Sequence, residues 1–323
     1  MNNGQEKILN TALKDIEKKF GKQTFSKIDN FNVETIPSGS FALDKATGIN
    51  GFPRGRIIEI YGNESSGKTT IALQAIKSCL NNFGNVAYID AENALDANYI
   101  SGLGIDPDKL LIANPEYGEQ AFSIVDALIK TEMIDLIVVD SVAALVPKME
   151  IEGDVNDQMV GSHARMMSKG LRMIQSTIAK SKTCVIFINQ VREKVGVLFG
   201  NNEITTGGRA LKFFSSMRIE VKRSELLKNG TEINGIKSKV TITKNKLAAP
   251  FTSCFVDIYF GKGFNETKEI LDFAIEYELI QKNGSWYSYN DEKIGQGRNQ
   301  VDTYFLENPD KFLEVKNLIL QKI

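Results

Sequence analysis

Residues 62–70 read Gly62-Asn63-Glu64-Ser65-Ser66-Gly67-Lys68-Thr69-Thr70, which fits G-x-x-x-x-G-K-[ST]. The stretch lies directly between an apolar run at 56–61 and an amphipathic run at 69–80. A strand, a glycine-bearing loop and a helix in that order form the setting in which this motif holds phosphate. Glycines let the chain curl so that successive N–H groups point inward at phosphate oxygens. The helix N-terminus adds its dipole. Lys68 supplies a point charge to the β- and γ-phosphates, and the Thr69 hydroxyl fits a place in a Mg²⁺ shell. A chain built around this loop must set a strand and a helix against each other at the edge of an α/β sheet.

The flanking sequence agrees with that demand. Short apolar runs at 86–90, 110–113, 134–140 and 184–189 alternate with helical patterns such as 119–130 and 163–180. Near-continuous apolar strands alternating with helices predict a mainly parallel sheet covered on both faces. Residues 218–222 and 239–243 alternate more and predict strands with one wetter face. Beyond residue 266 the pattern changes to a helix at 268–277, a short strand at 284–289 and a closing helix at 309–323, a small α+β unit. At the other end, Ile8, Ala12, Ile16 and Phe20 are spaced by four and Gly21 follows, which predicts a helix. A lone helix of this length is marginal in water. It needs a surface to pack on, either its own core or a neighbouring subunit. The chain thus divides into residues 1–30, 31–265 and 266–323.

Two carboxylates fit the phosphate loop. Asp140 ends the apolar run at 134–140, which places it at the carboxyl edge of the sheet. Alone, such an Asp is a turn or a cap; beside the loop it suits the metal side of a nucleotide site. Glu92 lies two residues past the run at 86–90. It is placed either to orient water at a phosphate or to cap a helix.

Composition narrows the remaining choices. The chain has 323 residues, 42% hydrophobic and 24% charged. No apolar run is long enough to span a membrane, and the polar N-terminus lacks the core of a signal peptide; a cytoplasmic location is expected. Three widely spaced cysteines, Cys79, Cys184 and Cys254, read as buried free thiols. A single histidine, His163, speaks against a His-rich metal site or a Ser-His-Asp triad. The net charge is −1, yet residues 190–246 carry twelve Lys/Arg against five Asp/Glu. Such a local positive field suits a polyanion or forms a solvated face.

At this point several segments carry a resemblance. GNESSGKTT at 62, YIDAENALD at 88, VVDSVAALVPKMEIEG at 138, FINQVREKVGVLFGN at 187, TTGGRALKF at 205, KNKLAAPF at 244 and WYSYNDEKIGQGR at 286 closely resemble the bacterial RecA recombinase family. The likeness runs in order along almost the whole chain. It implies a P-loop RecA-type α/β core, an N-terminal helix and a small C-terminal α+β domain. It also implies a DNA-dependent ATPase that uses ATP and Mg²⁺, forms helical filaments on single-stranded DNA, and pairs and exchanges strands with duplex DNA in recombinational repair. Co-activation of a self-cleaving repressor in the SOS response is a further implied activity.

The resemblance assigns roles to matching positions. Glu92 would activate water at the γ-phosphate, Gln190 would sense that phosphate, and Lys244 and Lys246 would reach the nucleotide of the adjacent subunit. Tyr99 would stack on adenine and Asp96 would contact its edge. Residues 191–208 resemble the second DNA-binding loop, with Arg192, Phe199, Gly207 and Gly208 at matching positions; Gln190 is expected to end a strand and open that loop. Residues 152–161 resemble the first loop, with Arg165 facing the same phosphates. Lys282, Trp286 and Arg298 match the surface that gathers duplex DNA. The N-terminal helix matches the segment that docks on a neighbour, and head-to-tail contacts of that kind produce open filaments.

The chain departs from the family pattern in four places. No acidic tail of the kind common at the family's C-terminus is expected beyond Ile323. Asn63 replaces a proline. Residues 157–163 of the first loop differ, and Arg209 stands where a small polar residue is usual, either beside DNA or toward a neighbour. A hexameric motor of the same fold and a passive single-strand coat are the competing readings. The N-terminal helix and the Trp286 unit weigh against the first; Lys68, Thr69, Glu92 and Asp140 weigh against the second.

Overall fold

The computed structural model describes residues 3–21, 33–154, 159, 161–193 and 203–322. They fall into two compact units, Met1–Val33 and Glu34–Ile323. The first is the helix α1 (Asn3–Phe20), ended by Gly21 at φ 101°. Ile8 and Phe20 on this helix are 74% and 67% exposed.

The second unit begins with β1 (Thr35–Ile36), α2 (Phe41–Thr47), β2 (Phe52–Pro53), β3 (Ile57–Gly62) and α3 (Lys68–Asn81). It continues with β4 (Val86–Asp90), α4 (Ala97–Gly102), β5 (Leu110–Ala113), α5 (Gly118–Lys130), β6 (Leu136–Asp140), α6 (Lys148–Glu152) and α7 (Ser162–Ser181). After β7 (Cys184–Glu193) come β8 (Glu203–Thr205), α8 (Ala210–Phe214), β9 (Met217–Asn229), β10 (Glu232–Asn245), β11 (Ser253–Tyr259) and β12 (Gly263–Phe264). The chain closes with α9 (Glu266–Glu276), β13 (Gln281–Asn283), β14 (Trp286–Tyr289), β15 (Glu292–Gln296), α10 (Arg298–Glu307) and α11 (Pro309–Leu320).

The central sheet runs β12-β11-β10-β9-β3-β7-β6-β4-β5. From β9 to β5 every neighbouring pair is parallel; β10, β11 and β12 add antiparallel strands at the far side. Side chains alternate across a strand, so the sheet feeds two cores. Ile58, Ile60, Tyr88, Val138 and Ile186 pack with Ile71, Leu73 and Ile76 of α3. Ile57, Ile89, Ile137, Val139 and Phe187 pack with Phe122 and Val125 of α5 and with Met167, Leu171 and Ile174 of α7. Coverage on both faces explains the continuous apolar strands. Cys79 and Cys184 are buried free thiols, and Cys254 is half-buried.

A third core joins α9, α10 and α11 to the sheet β13-β14-β15. Phe41 of α2 enters this core and meets Phe273 at 6.2 Å between ring centres. Glu269 fixes the junction: it accepts from the Ser40 hydroxyl at 2.7 Å and from the Phe41 N–H at 2.8 Å, at the start of α2. Burial pushes its carboxyl up to about 7, and that of nearby Asp44 up to about 6.

Several sequence expectations need correction. Gln190 does not end its strand. β7 continues to Glu193, and β8 pairs back on it antiparallel, so the ends of the stretch 191–208 form a hairpin stem. The alternating runs at 218–222 and 239–243 are the inner parts of two much longer arms, β9 and β10, whose tips are exposed, Leu226 and Ile233 included. The C-terminal part holds two strands and one helix, β13, β15 and α10, that were not expected. Trp286, which the resemblance assigns to the surface that gathers duplex DNA, is 41% exposed.

Candidate functional site

The phosphate loop leaves the end of β3 and enters α3. A Cβ at Gly62 would lie 2.0 Å from the Val221 carbonyl oxygen, so only glycine passes beside β9 there. Ser65 and Gly67 have φ of 54° and 97°, the left-handed bends that curl the chain. No side chain caps α3, and its first N–H groups are left for a ligand. The Lys68 ammonium spans the loop and donates to the Asn63 carbonyl at 2.8 Å. Burial lowers the Lys68 pKa, opposed by the carboxylates of Asp140, Glu92 and Glu64. The buried Ser66 hydroxyl finds no hydrogen-bond partner among the described residues, while its carbonyl is held by the Ser238 hydroxyl at 2.8 Å.

Strand register gathers the other groups at the same end of the sheet. Gly62 is level with Gln190, and Asp90 with Asp140. The hydroxyls of Thr69 and Tyr88 both donate to Asp140 Oδ2, at 2.7 Å each. Burial raises the Asp140 pKa; those two hydrogen bonds and Lys68 oppose it. A cation at this point would favour the ionised form. Asp90 accepts from the N–H groups of Ala94 and Leu95 at 3.3 and 3.0 Å, which fixes the turn that carries Glu92. The Ser141 hydroxyl donates to Glu92, and the Gln190 amide approaches the same Glu92 oxygen at 3.4 Å. Glu92 is not a helix cap: Asp96 caps α4, accepting from the Tyr99 N–H at 2.9 Å. The Tyr99 and Thr70 hydroxyls lie 2.9 Å apart. A buried ammonium, an open helix N-terminus and a hydroxyl-bound buried carboxylate are a donor set that fits a nucleotide with Mg²⁺.

The remaining expected residues lie in three places. In the hairpin stem, Val191 pairs with Thr205 and Arg192 with Ile204; Phe199 and residues 155–158 and 160 fall outside the described residues. Gly207 and Gly208 take φ of 88° and 76°. A Cβ at Gly208 would stand 2.9 Å from Ala164 Cβ, so the turn after β8 packs against the first turn of α7, which carries Arg165. Arg165, Arg192 and Arg209 are all exposed. Arg209, Lys212, Phe213 and Arg218 line a cavity of about 730 Å³. Lys244 donates to the carbonyls of Lys212 and Phe213 at 2.7 and 3.2 Å. Burial, with Lys246 and Arg218 close by, pushes the Lys244 pKa down to about 8. Lys282 and Arg298 belong to the C-terminal part. Lys282 sits 5.8 Å from the Tyr287 ring centre, and Arg298 is ion-paired with Asp272.

Sequence reasoning passed over Tyr88, Ser141 and Asp90, which place the two key carboxylates, and Asn189, which precedes Gln190.

A parallel sheet carrying a phosphate loop, a metal-side carboxylate and a second carboxylate beside a glutamine defines a P-loop ATPase. A family model described as the RecA N-terminal domain matches residues 7–265, and one described as the RecA C-terminal domain matches residues 268–323. Protein RecA of Malacoplasma penetrans is 64% identical over 319 residues, covering 99% of this chain and 97% of that protein. Protein RecA of Bacillus subtilis is 52% identical over 318 residues, covering 98% and 91%. The crystal structure of the RadB recombinase shares the fold, with a TM-score of 0.53 at 21% identity over 71% of this chain and 98% of that one. The chain belongs to the RecA family, the DNA-dependent ATPase recombinases of DNA repair. Among the described residues no helix is long and apolar enough to cross a membrane.

Proposed function

We propose that the protein assembles as a helical filament on single-stranded DNA in the cytoplasm, hydrolyses ATP with Mg²⁺, and pairs and exchanges that strand with a homologous duplex. The observation that carries this reading is the approach of Gln190 to Glu92 at 3.4 Å, from a strand whose next residues, Val191–Glu193, pair with β8.

The loop N–H groups and Lys68 hold the β- and γ-phosphates. Thr69 and Asp140 would hold Mg²⁺, which when bound would neutralise phosphate charge. Glu92, oriented by Ser141, positions the attacking water. Asp96 and Tyr99 flank the base. Gln190 contacts the γ-phosphate, and its backbone passes the difference between nucleotide states to the hairpin. Linkage then requires bound DNA to favour the ATP state by the same factor. Lys244 and Lys246 complete the site of an adjacent copy, as a cation supplied in trans does.

Residues 1–30 dock on a neighbour and residues 31–265 form the ATPase core. Residues 266–323 collect duplex DNA through Lys282 and Arg298. Arg165, Arg192, Phe199, Gly207, Gly208 and Arg209 line the path of the bound strand. Support for a repressor of the self-cleaving kind as a further partner comes from the family alone.

The test is ATP hydrolysis with Mg²⁺, with and without single-stranded DNA. Stimulation by DNA is expected, together with filaments in electron micrographs. Closed rings, or turnover indifferent to DNA, would overturn the reading.

A further inference from the structure

Glu59 is the only charged residue of β3, and its side chain is wholly buried. Its two oxygens serve opposite sides. Oε1 accepts from the Asn189 amide at 2.9 Å, and Oε2 accepts from the Arg218 guanidinium. On the first side, the Asn189 amide also donates to the Thr206 carbonyl at 3.0 Å, and its oxygen accepts from the Gln190 N–H at 2.9 Å. One buried asparagine therefore holds both the backbone of Gln190 and the base of the hairpin. On the second side, Arg218 stacks over the Tyr61 ring at 4.4 Å. The Tyr61 hydroxyl lies 2.9 Å from that of Thr243, the residue before Lys244. Arg218 and Tyr61 also line the cavity reached by Arg209 and Glu220 and, from the hairpin stem, by Val191 and Thr205.

Apolar side chains of similar volume would hold β3 between β7 and β9 with less desolvation cost than a buried ion pair. What the pair adds is direction: a carboxylate with fixed donors on both sides transmits a shift of one donor to the other. We propose that Glu59 is a positioning residue that couples two faces of the subunit. One is the side of Arg218, Lys244 and Lys246. The other is the sheet edge of Gln190 and the hairpin base. The inference rests on the reading above, in which the first face meets the nucleotide of a neighbouring copy and the second senses the subunit's own. Arrival of a neighbour moves Arg218, Glu59 follows, and Asn189 resets Gln190 and Thr206 together. Occupancy of one site then tunes the next along the filament.

Two full-length variants test this: Glu59→Gln, and Asn189→Ala, which leaves the ion pair intact and cuts only the link beyond it. ATP hydrolysis is measured against ATP concentration, with and without single-stranded DNA, after thermal melts establish folding. DNA-free turnover is expected to stay close to wild type. Stimulation by DNA should fall about tenfold, within the usual range of coupling between sites, and the dependence on ATP should lose its steepness. A purely structural role lowers both rates by one common factor, through a smaller folded fraction; that result, or a failure of both variants to fold, overturns the proposal. So does a folded Asn189→Ala variant with wild-type stimulation. If the wild type itself shows no stimulation by DNA, the functional reading fails first and this coupling with it.

Discussion

The Thr69 hydroxyl donates to Asp140 at 2.7 Å, joining the first turn of α3 to the end of β6 across 71 residues of chain. Two distant pieces of sequence thereby become the two sides of one site. Tyr88 binds the same carboxylate oxygen from β4. Three elements converge on a carboxyl whose pKa burial raises, and a cation held there would favour its ionised form.

Glu92→Gln keeps the shape and removes the charge that orients water. Loss of a general base costs about 10²–10⁴-fold. Turnover with single-stranded DNA is expected to fall by that order, while filaments persist in electron micrographs because phosphate binding is intact. Hydrolysis at the wild-type rate would remove Glu92 from its proposed role.

Lys68→Ala deletes the ammonium that closes the loop over Asn63. The expected result is loss of the increase in single-stranded DNA affinity that ATP produces, read by fluorescence anisotropy. An increase of wild-type size would place the nucleotide elsewhere.

The local parts of this site were legible because their chemistry is consecutive in sequence. Residues 62–70 form a complete motif, and Asp140 stands out as the polar end of an apolar run. The supporting groups were not legible, because each acts over distance. Tyr88 and Ser141 find their partners 52 and 49 residues away, and Asn189 finds Glu59 130 residues away. Only one of these left a trace, the lone charge of Glu59 inside an apolar strand. In the C-terminal part, β13 and β15 are fully or mostly exposed and polar, so neither shows the alternation that marks a half-buried strand. The outer half of β9 escaped notice for the same reason: it pairs with β10 through the backbone and lies mostly exposed.

Stability should depend on pH through the junction at Ser40 and Phe41. Burial raises Glu269 from 4.5 to about 7 and Asp44 from 3.8 to about 6. The folded state thus keeps protons that the unfolded chain releases over this range. The linked stability is complete below the unfolded values and is lost as pH rises through the folded ones. The melting temperature is expected to fall between about pH 5 and pH 7.5, and the fall should be shallower in Glu269→Gln, which has no proton to lose. Equal slopes in scanning calorimetry would show that Glu269 does not titrate on unfolding.

Gly62→Ala tests the loop's geometry apart from its charges. The added methyl would stand 2.0 Å from the Val221 carbonyl oxygen, a backbone atom of β9. Ile60 and Tyr61 just before it pair with Ile219 and Glu220 of the same strand. The clash therefore has two exits: β9 swings away from β3, or the loop lifts off the sheet. The first loosens a core that includes Ile219 and Val221, costing about 1–3 kcal/mol as overpacking usually does, and lowers the melting temperature. The second keeps the core but moves the first N–H groups of α3 away from the phosphates. Calorimetry of the variant with and without ATP separates them. A lower melting temperature with a preserved upward shift on adding ATP marks the first, and an unchanged melting temperature with no shift marks the second. The strand pairing favours the second, because β3 is held between β7 and β9 by two continuous ladders, whereas the loop beyond Gly62 lies outside both. A variant that matches wild type in both measurements would mean that the close approach of Gly62 to Val221 places no demand on the loop.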